Sequence, residues 1–174
     1  EHPDIIVITG DSIDRRRCDI DAAMAFISKA VNIAPVYFVT GNHEELSTHY
    51  SEFRARLEDA GVTVLANSFA ALYRGETAFA LIGLSDPEML GNSIKKDGSD
   101  AKENIKLILK RITYDTGPCF KILLTHRPEL IEIYSECGID LVFAGHAHGG
   151  QVRLPFIGGL LAPAQGILPK YTSG

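Results

Sequence analysis

The sequence lacks most of the features that mark membrane-spanning, secreted or nucleic-acid-binding proteins. No apolar run reaches the roughly 20 residues that a membrane helix requires, and no signal peptide opens the chain. Acidic residues outnumber basic ones, 22 to 17, so the net charge is −5. This charge argues against a long nucleic-acid partner, which favours a basic surface. It is compatible with a small phosphorylated substrate held through metal ions.

Cysteine is also scarce. The chain has three cysteines, Cys18, Cys119 and Cys137. Their odd number and the lack of metal-ligand spacing predict buried or free thiols in a reducing compartment. The chain has no initiator Met, since "EHPDIIVITGD" enters a strand almost at once, and it ends as abruptly at "KYTSG". These two ends predict a fragment or a processed chain, so a cytoplasmic and a membrane-associated location both stay open.

The bulk composition is that of one globular domain. The chain has 174 residues, of which 45% are hydrophobic and 22% charged, enough to bury a core. Short apolar runs predict strands, and those between residues 62 and 84 are expected to be antiparallel neighbours. The predicted strands are residues 4–9, 35–40, 62–65, 69–74, 78–84, 120–125 and 139–144.

Between these strands, apolar residues at helical spacing predict helices, and turn residues predict loops. Asp19 is a predicted N-cap for a helix that contains Phe26 and Ile27, and a short helix is expected near Pro128. Further helices are predicted over 46–60 and 102–113, with a loop over 85–101 and an irregular, Gly- and Pro-rich tail over 154–174.

Polar residues follow four of the apolar strands, at the point where each strand ends. Ligands bind outside the carboxyl ends of the strands in open α/β sheets, so these loops should converge on one edge of the sheet. The first strand, residues 4–9, is expected to be buried on both faces. The polar residues that follow the four strands are Asp11, Asp14, Asn42, His43, His126, His146 and His148.

The convergent side chains are of the types that bind Mn, Fe or Zn. They offer carboxylate, amide and imidazole atoms without a thiolate, which disfavours a purely structural zinc site. His146 and His148 stand two residues apart in "GHAH", so both can face inward from extended backbone, towards two ions rather than one. Asp11 has two oxygens and can bridge a pair of ions. Two such ions activate a shared water for in-line displacement.

Each residue taken alone has a simpler interpretation. Asp11 and Asn42 are common turn residues, and His126 before "RPE" could be a helix-entry residue. The joint occurrence of these residues, each after an apolar strand, favours the metal site. Outside that pattern, His49 and the run Arg15–Arg17 are most simply solvent-exposed. Arg127 and Arg153 lie nearer the predicted site and are candidates for substrate binding.

These motifs together resemble those of the calcineurin-like metallophosphoesterase superfamily. "GDSID", "GNHE", "LLTHRPE" and "GHAHGGQ" are similar to its GDxxD, GNH[DE], single-His and GHxH blocks. The tail is similar to that of the bacterial phosphodiesterase branch of YkuE and YaeI. The resemblance implies a single domain over residues 1–174 with a four-layer α/β/β/α sandwich fold, truncated at both ends.

The resemblance also implies roles for the residues. Asp11 would bridge two divalent ions, with Asn42, His126 and His146 completing one site and His148 belonging to the other. His43 would stabilise the transition state and protonate the leaving oxygen. Asp14 would support the site without binding a metal.

One block of the superfamily is missing from the sequence. Its DxH motif supplies an Asp and a His to the metal site of His148, and the only early candidate, "EHPD", places His2 and Asp4 in the wrong order. The C-terminal strands of the second sheet are also expected to be absent. We therefore expect one incomplete metal site, self-association, and membrane association only through a segment outside this chain.

Three functions are compatible with these residues. The first is metal-dependent hydrolysis of a phosphodiester or of a pyrophosphate-linked small molecule. The second is a non-catalytic fragment or binding module that retains one metal site, which the missing DxH block favours. The third, an amidohydrolase-type site, is disfavoured because its HxH usually opens a barrel, for which this chain is too short.

Overall fold

Two β-sheets with helices on their outer faces organise the chain in the computed structural model, which describes residues 2–87, 99–154 and 158–172. The first sheet is parallel and has three strands. The second is mixed and has four strands. A third sheet, which is antiparallel and three-stranded, forms the C-terminal part.

The first sheet and its helices come from the N-terminal part of the chain. Its strands are β1 (Ile6–Ile8), β2 (Val36–Phe38) and β3 (Thr63–Val64), and its helices are α1 (Ile20–Ala30), α2 (Asn42–Glu45) and α3 (Tyr50–Asp59). Helix α1 begins where predicted, because Oδ1 of Asp19 accepts a hydrogen bond from the Ala22 N–H at 2.9 Å.

The second sheet joins a hairpin to two parallel strands. Strands β4 (Ser68–Arg74) and β5 (Thr77–Gly83) are antiparallel, whereas β6 (Phe120–Thr125) and β7 (Leu141–Ala144) run parallel to β5. Helix α4 (Ser99–Thr116) precedes β6, and a 3-10 turn (Pro128–Leu130) and helix α5 (Ile131–Glu136) precede β7. The C-terminal strands are β8 (Val152–Leu154), β9 (Gly158–Ala162) and β10 (Gly166–Ile167).

Three apolar clusters define the layers of the fold. One packs α1 and α3 against the first sheet, around Phe38 and Phe53. A second lies between the two sheets, around Val39 and Leu124. A third packs α4 and α5 against the second sheet, around Leu109. The predicted four-layer α/β/β/α arrangement is therefore confirmed.

Several sequence-based predictions need correction. Strand β3 pairs in parallel with β2 rather than as an antiparallel neighbour of β4, because the turn after it carries the chain from one sheet to the other. Strand β1 is only half-buried, since it is an edge strand. The tail is not wholly irregular, because β9 and β10 lie in it and pair in the antiparallel sheet that also contains β8.

The helix boundaries also differ from the predicted ones. The predicted helix 46–60 is shortened to α3, the short helix α2 precedes it, and α4 extends beyond 102–113 at both ends. Residues 88–98 of the predicted loop lie outside the described residues. Among the helices of the described part of the chain, none combines the length and the hydropathy that a membrane span needs.

Candidate metal centre

Three predicted ligands from distant parts of the sequence meet at the carboxyl edge of the two sheets. Asp11 follows β1, His126 follows β6 and His146 follows β7. Their ligand atoms all lie within 4.8 Å of one another. The first and second sheets thus both contribute to the cluster, as the order of apolar strands and polar loops predicts.

His126 is the buried centre of this cluster, with 1% of its surface exposed. Its Nδ1 lies 2.7 Å from the carbonyl oxygen of Thr9, a contact in which Nδ1 donates. Its Nε2 then faces Oδ2 of Asp11 at 3.2 Å and Nδ1 of His146 at 3.1 Å. The Thr9 carbonyl therefore orients the imidazole so that Nε2 is directed at Asp11 and His146.

The cluster shifts the pKa values of its members. Burial opposes the charge of Asp11, but hydrogen bonds from His126 and from the His43 N–H outweigh it and lower the pKa of Asp11. Burial likewise opposes the charge of His126, whose pKa is nevertheless raised by its bonds to Asp11 and Thr9. Burial, assisted by the nearby Arg127, lowers the pKa of His146 to about 4. His146 is thus a neutral imidazole at physiological pH, the form that binds metals.

Asn42 supplies a further oxygen that the protein itself leaves unsatisfied. Its Oδ1 is buried without a hydrogen-bond partner among the described residues. A buried unpaired acceptor is costly unless a ligand completes it. An amide oxygen of this kind, added to a carboxylate and two imidazoles such as those of the cluster, is a donor set that fits a divalent transition metal.

His43 and Asp14 form a pair at the edge of the cluster. Nδ1 of His43 lies 3.4 Å from Oδ2 of Asp14, and the His43 backbone N–H donates to Oδ1 of Asp11 at 3.0 Å. Oδ1 of Asp14 accepts from the N–H groups of Arg16 and Arg17, at 2.7 and 2.8 Å. Asp14 therefore contacts His43 and its own loop.

Glu44 is a residue whose part in the site the sequence analysis missed. Its side chain is fully buried and accepts four backbone N–H bonds, from Gly41, Asp11, Ser12 and Ile13. A signal was present in the sequence, because Glu at the third position of a helix commonly accepts from the N-cap N–H. Here Gly41 is that N-cap.

Two glycines allow the first two loops to approach each other. A Cβ on Gly10 would overlap the backbone of Gly41, and a Cβ on Gly41 would overlap the Asp11 carboxylate. Gly10 also has φ +87°, a conformation that side chains other than glycine rarely adopt. The glycines of "TGD" and "TGN" are thus required by close backbone contact.

The remaining candidates lie around the cluster. His148 is exposed and is not part of the Asp11–His126–His146 group, although it lines the same cleft of about 900 Å³. Arg127 is largely buried and its Nη1 lies 3.3 Å from Nε2 of His146. Arg153 is exposed and donates to the Gly149 carbonyl. His49 is also exposed, as expected.

The three cysteines outside the site are free thiols, as predicted. Cys137 is buried, and this burial raises the pKa of its thiol.

Comparison with known families identifies the class of this protein. The model of the calcineurin-like phosphoesterase family matches residues 1–150. The chain belongs to this family and carries a metallophosphoesterase domain. The match includes all of the predicted metal ligands.

Two bacterial relatives are similar over the whole chain. The uncharacterized metallophosphoesterase YkuE of Bacillus subtilis is 28% identical over 174 residues, which cover 99% of this chain and 56% of that protein. Phosphodiesterase YaeI of Escherichia coli is 26% identical over 177 residues, covering 100% of this chain and 58% of that protein. The chain therefore spans somewhat more than half the length of these relatives, and the resemblance to their branch is confirmed.

A vertebrate relative and a solved structure extend the comparison. A transmembrane protein with metallophosphoesterase domain from Danio rerio is 29% identical over 156 residues, covering 87% of this chain and 34% of that protein. The NAD nucleotidase NadN of Haemophilus influenzae has a TM-score of 0.51 and 19% identity, covering 83% of this chain and 33% of that one. This structural likeness supports the fold.

Proposed function

We propose that this domain hydrolyses phosphoesters with divalent metal ions, and that its substrate is a phosphodiester or a pyrophosphate-linked small molecule. The observation that carries the proposal is the convergence of the ligand atoms of Asp11, His126 and His146 within 4.8 Å. Asn42, whose Oδ1 is buried and unpaired among the described residues, directly follows Gly41, which lies against the Asp11 carboxylate. YaeI is named as a phosphodiesterase, which supports the diester. The acidic net charge of −5 favours a small substrate over a long nucleic acid.

The chain offers one nearly complete metal site and part of another. Asp11, Asn42, His126 and His146 would hold the first ion, of Mn, Fe or Zn. His148, with a share of Asp11, would contribute to the second. Bound divalent ions supply Lewis acidity and lower the pKa of a coordinated water towards neutrality.

The other predicted residues would act on the substrate. The contact of His43 Nδ1 with Asp14 leaves Nε2 to stabilise the transferred phosphoryl group and to protonate the leaving oxygen. Arg153 is exposed near the cleft and could bind a substrate phosphate. Arg127 would act through His146, which it contacts, as well as on the substrate.

Hydrolysis of bis(p-nitrophenyl) phosphate in the presence of Mn²⁺ tests the proposal directly. The assay is run on this chain and on a longer chain that includes more of the native sequence, with p-nitrophenyl phosphate as the monoester control. Turnover of the diester that is abolished by EDTA and restored by Mn²⁺ would support the proposal. Metal-independent turnover, or none in the longer chain, would contradict it.

The position of His148 favours a second candidate, a non-catalytic domain with one metal site. His148 is exposed, and the described residues place no additional ligand group of three around it. Two protein ligands are too few to hold a transition metal firmly, since three or four are usual. Plasma emission on the purified chain distinguishes the candidates: one firmly bound metal without turnover supports the second, and two at full occupancy exclude it.

A further inference from the structure

We propose that Glu44 is a positioning residue for the metal centre, because its buried carboxylate fixes the loop of Asp11 against the loop of Asn42 before an ion binds. The proposal rests on the metal-dependent function proposed above. It assigns to Glu44 a role that is separate from the metal ligands.

The hydrogen bonds of Glu44 join two segments that are more than 30 residues apart in the sequence. Oε2 accepts from the N–H of Asp11 at 2.7 Å and from that of Gly41 at 2.8 Å. Oε1 accepts from the N–H groups of Ser12 and Ile13, at 2.7 and 3.1 Å. Both oxygens are thus fully used by backbone donors of the two loops.

The Asp11 backbone needs such support. Its φ is 56°, in the left-handed region, which costs a non-glycine residue about 1 kcal/mol or more. The N–H groups of residues 11–13 also have no strand partner, since β1 ends at Ile8. The Glu44 carboxylate satisfies these donors and so stabilises the conformation from which the Asp11 side chain enters the cluster.

The Asp11 carboxylate in turn accepts a hydrogen bond from the backbone of the loop that contains Glu44. The His43 N–H, adjacent to Glu44, donates to Oδ1 of Asp11 at 3.0 Å, while Oδ2 of Asp11 lies 3.2 Å from His126. Asp11 and Glu44 therefore each accept from the backbone of the other's loop. Two carboxylates hold the loops together, and only that of Asp11 belongs to the cluster of metal-ligand atoms.

The adjacent acidic residue, Glu45, does not share these bonds. It accepts from the hydroxyl of Thr40, and its Oε2 is buried without a partner among the described residues. In the described part of the chain, the Asp11 loop is therefore bound by the carboxylate of Glu44 and not by that of Glu45.

The test compares metal binding by the wild-type chain, Glu44→Gln, Glu44→Asp and the matched control Glu52→Gln, which alters an exposed residue. Gln replaces one acceptor oxygen with a donor, so two of the four N–H bonds are lost. Mn²⁺ affinity is measured by titration calorimetry on metal-free protein, at a temperature where circular dichroism shows every variant to be folded. Amide hydrogen exchange at Asp11, Ser12 and Gly41 is followed in parallel.

We expect Glu44→Gln to weaken Mn²⁺ binding by about 10- to 100-fold and to accelerate exchange of these amides, while Glu52→Gln changes neither. Glu44→Asp, which keeps the carboxylate, should bind Mn²⁺ more tightly than Glu44→Gln does. If Glu44→Gln does not fold, Glu44→Asp is the variant compared with the wild type. A Glu44 variant that is less stable but binds Mn²⁺ as tightly as the wild type would show a merely structural role and overturn the proposal. A wild-type chain that binds no Mn²⁺ would instead overturn the metal-dependent function, and this proposal with it.

Discussion

Arg127 and Asp86 form a buried bidentate ion pair that contacts His146 through the guanidinium. Nε and Nη2 of Arg127 donate to Oδ2 and Oδ1 of Asp86 at 2.6 and 2.9 Å, and Nη1 lies 3.3 Å from Nε2 of His146. The Asp86 N–H donates to the hydroxyl of Thr40, which lies just after the end of β2. The pair thus connects the loops that follow β2, β5 and β6.

Removal of one member of this pair should be strongly destabilising. The Asp86 side chain has no exposed surface and that of Arg127 is 11% exposed, so Asp86→Ala removes the two short carboxylate bonds of a largely buried guanidinium. We expect Asp86→Ala to lower the free energy of unfolding by about 3–5 kcal/mol. The double variant Asp86→Ala/Arg127→Met should lose less than the sum of the losses of the two single variants. Urea denaturation of the set measures both. Additive losses would contradict coupling between the two residues.

Asp11→Asn and His146→Ala should each abolish metal-dependent turnover in the longer chain that the activity assay includes. The first removes the charge that would be shared by two ions, and the second removes an imidazole ligand. Turnover of bis(p-nitrophenyl) phosphate at saturating Mn²⁺ is the measurement. Asp115→Asn and His49→Ala, which change exposed residues, are the matched controls and should retain activity. A near-native kcat in either site variant would show that the ligand assignment is wrong.

His43→Ala should keep its metals and lose kcat, because the residue would act on the transition state. Asp14→Asn should also lower kcat while the metals stay bound, since Asp14 Oδ2 lies 3.4 Å from Nδ1 of His43. The double variant should be little worse than His43→Ala alone. Metal content and kcat are measured together in the longer chain. Loss of a metal from His43→Ala would identify His43 as a ligand.

The convergence of the ligands could be predicted because it follows from local patterns. Asp11, His126 and His146 each come directly after an apolar strand, and such strands place their carboxyl ends at one edge of a sheet. The sequence could not predict which sheet each strand joins. The short β3 differs little from the strands of a hairpin, and its pairing with β2 depends on the packing of Val39 and Leu65 between the sheets.

The supporting contacts were harder to predict than the ligands. Glu44 and Asp86 bind groups that are distant in sequence, the backbone of the Asp11 loop and the guanidinium of Arg127. Their roles depend on which backbone donors and side chains the finished fold brings close, and a single sequence carries no periodic signal for such contacts.

Glu129 gives a prediction about pH. Burial raises the pKa of Glu129 above its ordinary value of 4.5, against the attraction of Arg127, and its Oε2 has no partner among the described residues. A raised folded-state pKa means that the carboxyl favours folding below pH 4.5 and that this contribution is lost as the pH rises through the folded value. Glu129→Gln should therefore have a higher Tm than the wild type at neutral pH, with the difference shrinking in acid. Glu52→Gln is the control. A Tm gap that stays constant with pH would contradict this explanation.

Self-association through the free edge of β7 is the last prediction. Strand β7 ends the order β4-β5-β6-β7, so in the described part of the chain its outer edge is unpaired. Its sequence, Leu-Val-Phe-Ala, has no charged residue or proline to prevent pairing with another strand, and Leu141 and Phe143 are 41% and 44% exposed. These two residues pair with Ile122 and Leu124, whose side chains pack between the two sheets, so an apolar inner face is also accessible.

We expect the purified 174-residue chain to form dimers or larger species, measured by light scattering after size exclusion across a range of concentrations. Phe143→Lys should favour the monomer by placing a charge on the edge strand, whereas Phe26→Lys, at a 60% exposed position on α1, should associate as the wild type does. A wild-type chain that stays monomeric, or equal association of the two variants, would show that β7 is not the contact.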